Sequence, residues 1–491
     1  MTVEWILVAG YALALFMINI FSLGQFHLTL HYLRKQKNEP EDVDETTHQN
    51  DDFPFVTVQL PVYNELYVIE RLIEAVSRFD YPADKLEIQV LDDSTDETIE
   101  KIAEKVREVQ SRGLDIEQVR RPERTGFKAG ALKYGTEIAK GEFIAIFDAD
   151  FIPEPDFLKN TIPHFANESI GMVQTRWGHL NKDYSLITQM QAFGLDAHFT
   201  VEQKGRNIAD SFMNFNGTAG VWRKQCIAEA GGWQSDTLTE DLDLSYRAQL
   251  KGWKFKYLED VISPAELPIL MPAVKSQQYR WNKGAAETAR KNILNVLGAK
   301  LPFRKKLHAF FHLLNSSVFV FLLVAATLSI PMLYIKEANP SMGLVFDLGS
   351  IFVIGFLAIA AFYWASSKKI EPGDTFKYYL IRFPLFLTFS MGLAFHNAIA
   401  VLEGYLGFKS PFIRTPKFNV IKSGDKWQGN KYIMPKITFA TLIEGLFCLY
   451  FIFGIISGIR LGDFGLIFFH LMLAVGFGSV FILSVKPIQG A

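Results

Sequence analysis

Phe143-Ile144-Ala145-Ile146-Phe147-Asp148-Ala149-Asp150 is the stretch on which the fold turns. An apolar run rich in aromatic and branched residues, then two carboxylates, reads as a buried strand that ends in charge. Working outward, Phe55–Leu60 is a short β-rich run closed by Pro61, and Val68–Phe79 has helical periodicity. Leu86–Leu91 is a second strand, with a helix over Asp96–Val109. Strand and helix patterns alternate from residue 54 to 260, which implies a parallel-type sheet covered by helices, an α/β Rossmann-like domain. Ligands in such sheets bind beyond the carboxyl ends of the strands. Asp92-Asp93 and Asp148-Ala149-Asp150 both fall there. No Gly-x-Gly-x-x-Gly follows the first strand and there is no P-loop, so dinucleotide binding and ATP hydrolysis lose support.

The 491 residues are more than one domain needs. Hydrophobic residues make up 49% of the chain, Phe occurs 43 times, and the mean hydropathy is +0.12. The oily parts lie at the two ends, around a polar stretch from Arg34 to Arg290. A net charge of -2 gives no basic field for nucleic acid. Two cysteines, Cys226 and Cys448, exclude a disulfide framework and a Cys-based zinc site. There is no internal repeat and no low-complexity run.

Trp5–Phe21 is long and apolar enough to span a bilayer, lacks a basic leader and an A-x-A-like cleavage site, and is expected to stay as an anchor. Arg34, Lys35 and Lys37 behind it place the following domain in the cytosol. Beyond the polar domain come Leu314–Ile335, Leu344–Ala365, Phe376–Leu402, Ile437–Ile459 and Phe464–Val485. If all five span, the loop 404–436, with Lys409, Arg414, Lys417, Lys422, Lys426, Lys431 and Lys436 against Asp425 alone, is exported against the positive-inside bias. The conflict vanishes if Phe376–Leu402 lies in the interface or re-enters, which its Arg382, Pro384, His396 and Asn397 favour. Five spans are therefore expected with the anchor counted, six being the alternative. Arg304–Leu313 is a second interfacial candidate.

Each polar motif has a plain reading and a chemical one. Asp92-Asp93-Ser94-Thr95-Asp96-Glu97 is either a capping box or a carboxylate for a nucleobase or ribose. Asp148 and Asp150 are a solvated turn, or a repelling pair that a divalent cation neutralises, with hard oxygen ligands suiting Mg²⁺ or Mn²⁺. Thr239-Glu240-Asp241 is an N-cap with acids in the first turn, or carries Asp241 as a general base. In Gln277-Gln278-Tyr279-Arg280-Trp281, Gln277 and Arg280 share a helix face. There Arg280 could neutralise a diphosphate and Trp281 could stack on a sugar, or the pair could anchor the domain to lipid. Lys128 is a phosphate-binding candidate or an ordinary exposed lysine.

Taken together these motifs resemble the membrane-embedded, processive family 2 glycosyltransferases. The resemblance runs from about Phe55 to Ile293 and adds Pro61-Val62-Tyr63-Asn64-Glu65, Lys128-Ala129-Gly130 and Phe215-Asn216-Gly217-Thr218-Ala219-Gly220. Val90–Asp96 and Asp196-Ala197-His198-Phe199-Thr200-Val201-Glu202-Gln203 are most similar to the plant cellulose-synthase-like A and C groups, makers of β-1,4 mannan or glucan. The resemblance implies a GT-A-type glycosyltransferase domain over 34–293, between an anchor (1–33) and a helical transmembrane region (294–491). It implies a donor site of Tyr63, Glu65, Asp92, Asp93, Lys128, Asp148, Gln277 and Arg280, with Mg²⁺ or Mn²⁺ on Asp148 and Asp150. Asp241 and Glu240 would be catalytic, and Asn216, Gly217, Thr218 and Trp281 would meet the acceptor. Phe412-Ile413-Arg414-Thr415-Pro416-Lys417 resembles a gating loop, Phe-x-Val-Thr-x-Lys, with Arg in place of Val; Phe412, Thr415 and Lys417 carry the likeness.

The implied activity is inverting transfer of a hexose from GDP-mannose or UDP-glucose to a growing β-1,4 polysaccharide, with export through the surrounding membrane helices. The site would be a bacterial inner membrane or a plant Golgi membrane, with lipid as the further partner and no nucleic acid. Control by a cyclic-dinucleotide domain within this chain is not expected. A glycolipid synthase that adds one sugar, and an inert transporter or scaffold, are the competing readings.

Overall fold

The computed structural model describes residues 2–35, 53–343, 346, 349–410, 414–422, 424–425, 432 and 437–485. Seven strands build one sheet: β1 (Val56–Val62), β2 (Leu86–Asp92), β3 (Asp115–Val119), β4 (Phe143–Ile146), β5 (Ile170–His179), β6 (Gly220–Arg223) and β7 (Lys254–Ala265). Their order is β3-β2-β1-β4-β6-β5-β7. The first four run parallel. β6 lies antiparallel between β4 and β5, and β7 runs parallel to β5. The sheet is thus mixed, where alternation alone predicts parallel pairing. Four-residue β6, opened by Gly220, is too short to show a period.

Both faces of β4 are covered. Phe143, Ala145 and Phe147 enter one apolar core, and Ile144 and Ile146 enter the other. That is why the segment reads as an unbroken apolar run. Pro61 does not close β1. The strand continues through it, and Pro61 pairs with Leu91 of β2. β4 pairs with β1 only as far as Gln59, so the missing N–H of Pro61 breaks no bond on that side.

One helix start and two side-chain caps differ from expectation. The helix after β2 begins at Thr98, not Asp96. Ser94 caps nothing; its Oγ accepts the Asn64 N–H at 2.9 Å and so ties the β2 turn to the β1 turn. The helix Glu240–Leu250 does start after Thr239, but the Thr239 hydroxyl pairs with that of Thr288 at 3.1 Å instead of capping. Helix Ile69–Val76 is also shorter than its periodicity predicts.

Five helices among the described residues are long and apolar enough to cross a membrane: Val3–Arg34, Asn315–Ala338, Val353–Ile370, Phe439–Leu461 and Ile467–Val485. The doubtful sequence segment forms a bent pair, Thr375–Gly392 and Ala394–Leu406, with 52° between them. Gly392 at the bend lies on Gly476, where a Cβ would come within 2.4 Å of the carbonyl oxygen. Arg304–Leu313 falls within the helix Phe303–Leu313.

Three buried polar contacts join the sheet domain to the apolar helices. Tyr32 donates to Glu259 at 2.9 Å, Thr200 to Ser366 at 3.0 Å and Lys275 to Glu444 at 2.8 Å. Lys275 belongs to the long helix Met271–Gly298, which also carries Gln277, Arg280 and Trp281.

Candidate active site

A cleft opens at the carboxyl ends of β1 and β4, where strand order reverses direction in the sequence. Asp92 and Asp93 part company at the end of β2. Asp92 turns away, accepting from Arg120 at 2.9 Å and Gln118 at 2.8 Å, and lies off the cleft wall. Asp93 lines the cleft. Arg121 holds it with two parallel bonds, Nε to Oδ1 at 2.8 Å and Nη2 to Oδ2 at 2.6 Å. Beside it the Arg124 guanidinium lies 3.3 Å from the Tyr63 ring centroid, so a flat cationic and aromatic wall borders the cleft next to Asp93.

The two carboxylates after β4 are each neutralised by a lysine. Lys128 donates to Asp148 at 2.6 Å and to the Gly217 carbonyl at 2.9 Å. Lys417 donates to Asp150 at 2.5 Å and to the Glu266 carbonyl at 2.8 Å. Burial raises the Asp148 carboxyl above its ordinary range, Lys128 opposes this, and Asp150 adds to it. Among the described residues no three His, Cys, Asp or Glu side chains converge as a metal-holding set. Two carboxylates still match what Mg²⁺ takes from protein when substrate phosphates and water complete its shell, and Mn²⁺ prefers the same oxygen donors.

The segment 414–419 crosses the cleft. Thr415 accepts from Arg280 at 2.7 Å, and Arg414 pairs with Glu65 at 2.8 Å. Burial pushes the Glu65 carboxyl up to about 7, against the pull of Arg414. Phe412 lies outside the described residues. The helix Met271–Gly298 uses both faces. Gln277, Arg280 and Trp281 line the cleft, while Tyr279 bonds Glu403 and Ser410 on the far side.

Asp241 and Glu240 close the remaining wall. Burial, then the neighbouring Glu240 carboxylate, pushes Asp241 up to about 7. Burial likewise raises Glu240, with Lys128 opposing. A carboxylate near neutrality in a closed cleft is poised to take a proton. Gly217 makes room for it. Its φ is +82°, and an added Cβ would stand 2.9 Å from Asp241 Oδ2. The neighbouring Thr218 accepts the Asp148 N–H at 2.9 Å, and Asn216 lines the cleft.

The structure therefore gathers Tyr63, Glu65, Asp93, Lys128, Asp148, Asp150, Asn216, Gly217, Glu240, Asp241, Gln277, Arg280, Trp281, Thr415 and Lys417 around one cleft, and leaves out Asp92. Thr218 buttresses it from behind. Sequence reading missed Arg121 and Arg124. Their signal was the basic run Arg120-Arg121-Pro122-Glu123-Arg124 at the end of β3, the neighbour of β2.

Residues 54–284 match the family described as "Glycosyltransferase like family 2". The chain is 41% identical over 313 residues to glucomannan 4-beta-mannosyltransferase 1 of Oryza sativa subsp. japonica, covering 61% of this chain and 60% of the relative. It is 44% identical over 284 residues to glucomannan 4-beta-mannosyltransferase 2 of Arabidopsis thaliana, covering 57% and 53%. The chain thus spans roughly half to three-fifths of the length of these curated relatives. Among solved structures, a mannosyltransferase from Pyrobaculum calidifontis in complex with GDP-Man and Mn²⁺ superposes with a TM-score of 0.50 at 21% identity, over 73% of this chain and 100% of that one. The sheet and its cleft are a GT-A fold, and the chain carries a glycosyltransferase family 2 domain related to the plant glucomannan 4-β-mannosyltransferases.

Proposed function

We propose that this protein transfers mannose from GDP-mannose to the end of a β-1,4-linked polysaccharide, with inversion at the anomeric carbon. The observation that carries the reading is Asp241, a carboxylate pushed up to about 7. It lines the same cleft as Asp148, Asp150 and Arg280 on the diphosphate side and Trp281 on the acceptor side. The names of the plant relatives and the ligands of the Pyrobaculum structure favour mannose over glucose.

Asp148 and Asp150 would hold Mg²⁺ or Mn²⁺, which would supply positive charge to the donor diphosphate. Arg280 and Lys128 neutralise the charge that develops as the bond from C1 to the diphosphate breaks and its electron pair leaves with GDP. Asp241 takes the proton of the acceptor hydroxyl while that oxygen bonds to C1. Trp281 offers an indole face to the terminal sugar. Glu65 and Tyr63, with Asp93 and Arg124, flank the nucleoside, and Gln277 stands beside Arg280.

A second cavity shares Leu195, Gln277 and Trp281 with the cleft and runs on between Phe319, Tyr363, Phe386 and Asn397. An aromatic passage with a few amides suits a sugar chain and supports export through the membrane helices from a cytosolic catalytic domain, within segments 1–33, 34–293 and 294–491.

The test uses protein in nanodiscs with Mg²⁺ or Mn²⁺ and radiolabelled GDP-mannose or UDP-glucose in separate reactions. Polymer from GDP-mannose that β-1,4-mannanase degrades is the expected product. Label in a lipid extract would make it a glycolipid synthase, polymer from UDP-glucose alone would make it a glucan synthase, and absence of transfer would return it to a scaffold role.

A further inference from the structure

The motif Asp196–Gln203 stands out in the sequence but has no place in the chemistry above. In the structure its core, His198–Glu202, is a single turn of π-helix inserted between two α-helices. Such turns cost regular hydrogen bonding and cluster at functional sites. This one brings His198 and Glu202 together, with Nδ1 2.9 Å from Glu202 Oε2. The other imidazole nitrogen, Nε2, lies 3.1 Å from Asn216 Oδ1. Asn216 lines the cleft beside Gly217 and Asp241.

The amide of Asn216 is oriented from behind. Its oxygen accepts from Asn214 Nδ2 at 2.8 Å and faces His198, and its backbone N–H donates to Gln174 at 3.0 Å. Its Nδ2 is shut off from solvent and has no hydrogen-bond partner in the protein. A buried amide with a saturated oxygen and an unused N–H₂ is a donor waiting for an oxygen. His198 thus bridges an amide oxygen on one side and a carboxylate on the other. Burial opposes the charge on Glu202, but Arg206, at 2.8 Å, and His198 outweigh burial and hold the carboxyl well below the usual range.

We propose that His198 is a positioning residue for sugar recognition: held by Glu202, it fixes the Asn216 amide so that Nδ2 donates to a hydroxyl oxygen of the acceptor sugar next to Asp241. This rests on the glycosyl-transfer reading. It adds a specificity element that reads an acceptor oxygen without touching it through His198 itself.

The experiment measures kcat and KM for a manno-oligosaccharide acceptor, together with the Kd of GDP-mannose, in nanodisc-embedded wild type, His198→Leu, His198→Gln, Asn216→Ala and the His198→Leu/Asn216→Ala double variant. His198→Leu and Asn216→Ala should each raise acceptor KM about tenfold, the scale of one lost positioned hydrogen bond. Donor Kd should stay at the wild-type value. The double variant should be no worse than either single one, because both remove the same contact. His198→Gln, whose amide can still donate to Asn216, should recover most of the loss. Unchanged acceptor KM in Asn216→Ala, additive losses in the double variant, or a matching rise in donor Kd would overturn the proposal. Asn216→Ala decides the matter even if His198→Leu fails to fold. Wild type that transfers no sugar would sink the glycosyl-transfer reading itself, and this proposal with it.

Discussion

Replacing Gly217 by alanine separates two things glycine does there. At φ near +82° any side chain costs about 1–2 kcal/mol of backbone strain. The new carbon would also stand 2.9 Å from Asp241 Oδ2 and 3.5 Å from Lys128 Nζ. Ordinary contact lies near about 3.5 Å, so the Asp241 carboxylate must withdraw by roughly 0.6 Å. If a misplacement of about 1 Å costs about 100-fold in rate, that shift lowers kcat by about ten- to twentyfold. Gly113 supplies the control. Its φ is +89°, and nothing lies within 4 Å of an added Cβ. Gly113→Ala should therefore show the strain as a lower melting temperature and leave kcat alone. Steady-state mannosyl transfer and thermal melting on both variants make the comparison. Equal kcat in Gly217→Ala and Gly113→Ala, or a loss confined to donor KM, would refute the placement of Asp241 against Gly217 as the working geometry.

Asp241→Asn should abolish turnover while GDP-mannose binding, followed by calorimetry, stays within about threefold of wild type, since uncharged amide and acid occupy the same space. Because burial and Glu240 push Asp241 up to about 7, the ionised base is lost as pH falls. Thus kcat/KM should drop about tenfold per unit below that point, and a flat profile from about pH 5 to 8 would exclude this carboxylate as the base. Lys417→Met leaves Asp150 without its ammonium partner. Melting temperature in chelator should fall, and Mn²⁺ should raise it more than in wild type if the cation takes the same carboxylate. Arg121→Ala takes both hydrogen bonds from Asp93, whose side chain is only 8% exposed, and leaves it, among the described residues, only Arg124 at 4.0 Å. Loss of a buried partner costs about 3–5 kcal/mol, visible as reduced thermal stability even without substrate.

Much of the site was legible because it sits where strands end. Asp93, Asp148 and Asp150 follow apolar runs, and such runs mark their own carboxyl ends. Asp92 and Asp93 could not be told apart, since adjacent residues on a strand point to opposite sides and only the neighbours Arg120 and Arg121 show which one faces the cleft. Lysines as the partners of Asp148 and Asp150 were not readable, because Lys417 is 267 residues from Asp150. The antiparallel β6 was equally hidden, being four residues long. Helix caps differ for a tertiary reason: Ser94 and Thr239 spend their hydroxyls on Asn64 and Thr288, not on their own helices, and of these two only the helix after β2 starts later than its sequence suggests. The π-turn at His198 has no periodicity of its own, and only the likeness of Asp196–Gln203 to the plant cellulose-synthase-like A and C groups marks it in the sequence.

The polar ties between sheet and apolar helices bear on how this protein can be handled. Tyr32 to Glu259, Thr200 to Ser366 and Lys275 to Glu444 are buried. Lys275 stands two residues before Gln277 on the same helix, and Thr200 lies inside the π-turn. A soluble fragment cut free of its helices would lose all three ties, one of them two residues from the cleft-lining Gln277. Crystallising or screening inhibitors against an excised catalytic piece would therefore mean working on a distorted cleft. Detergents that loosen the helices should deform the cleft in the same way, long before the sheet itself melts.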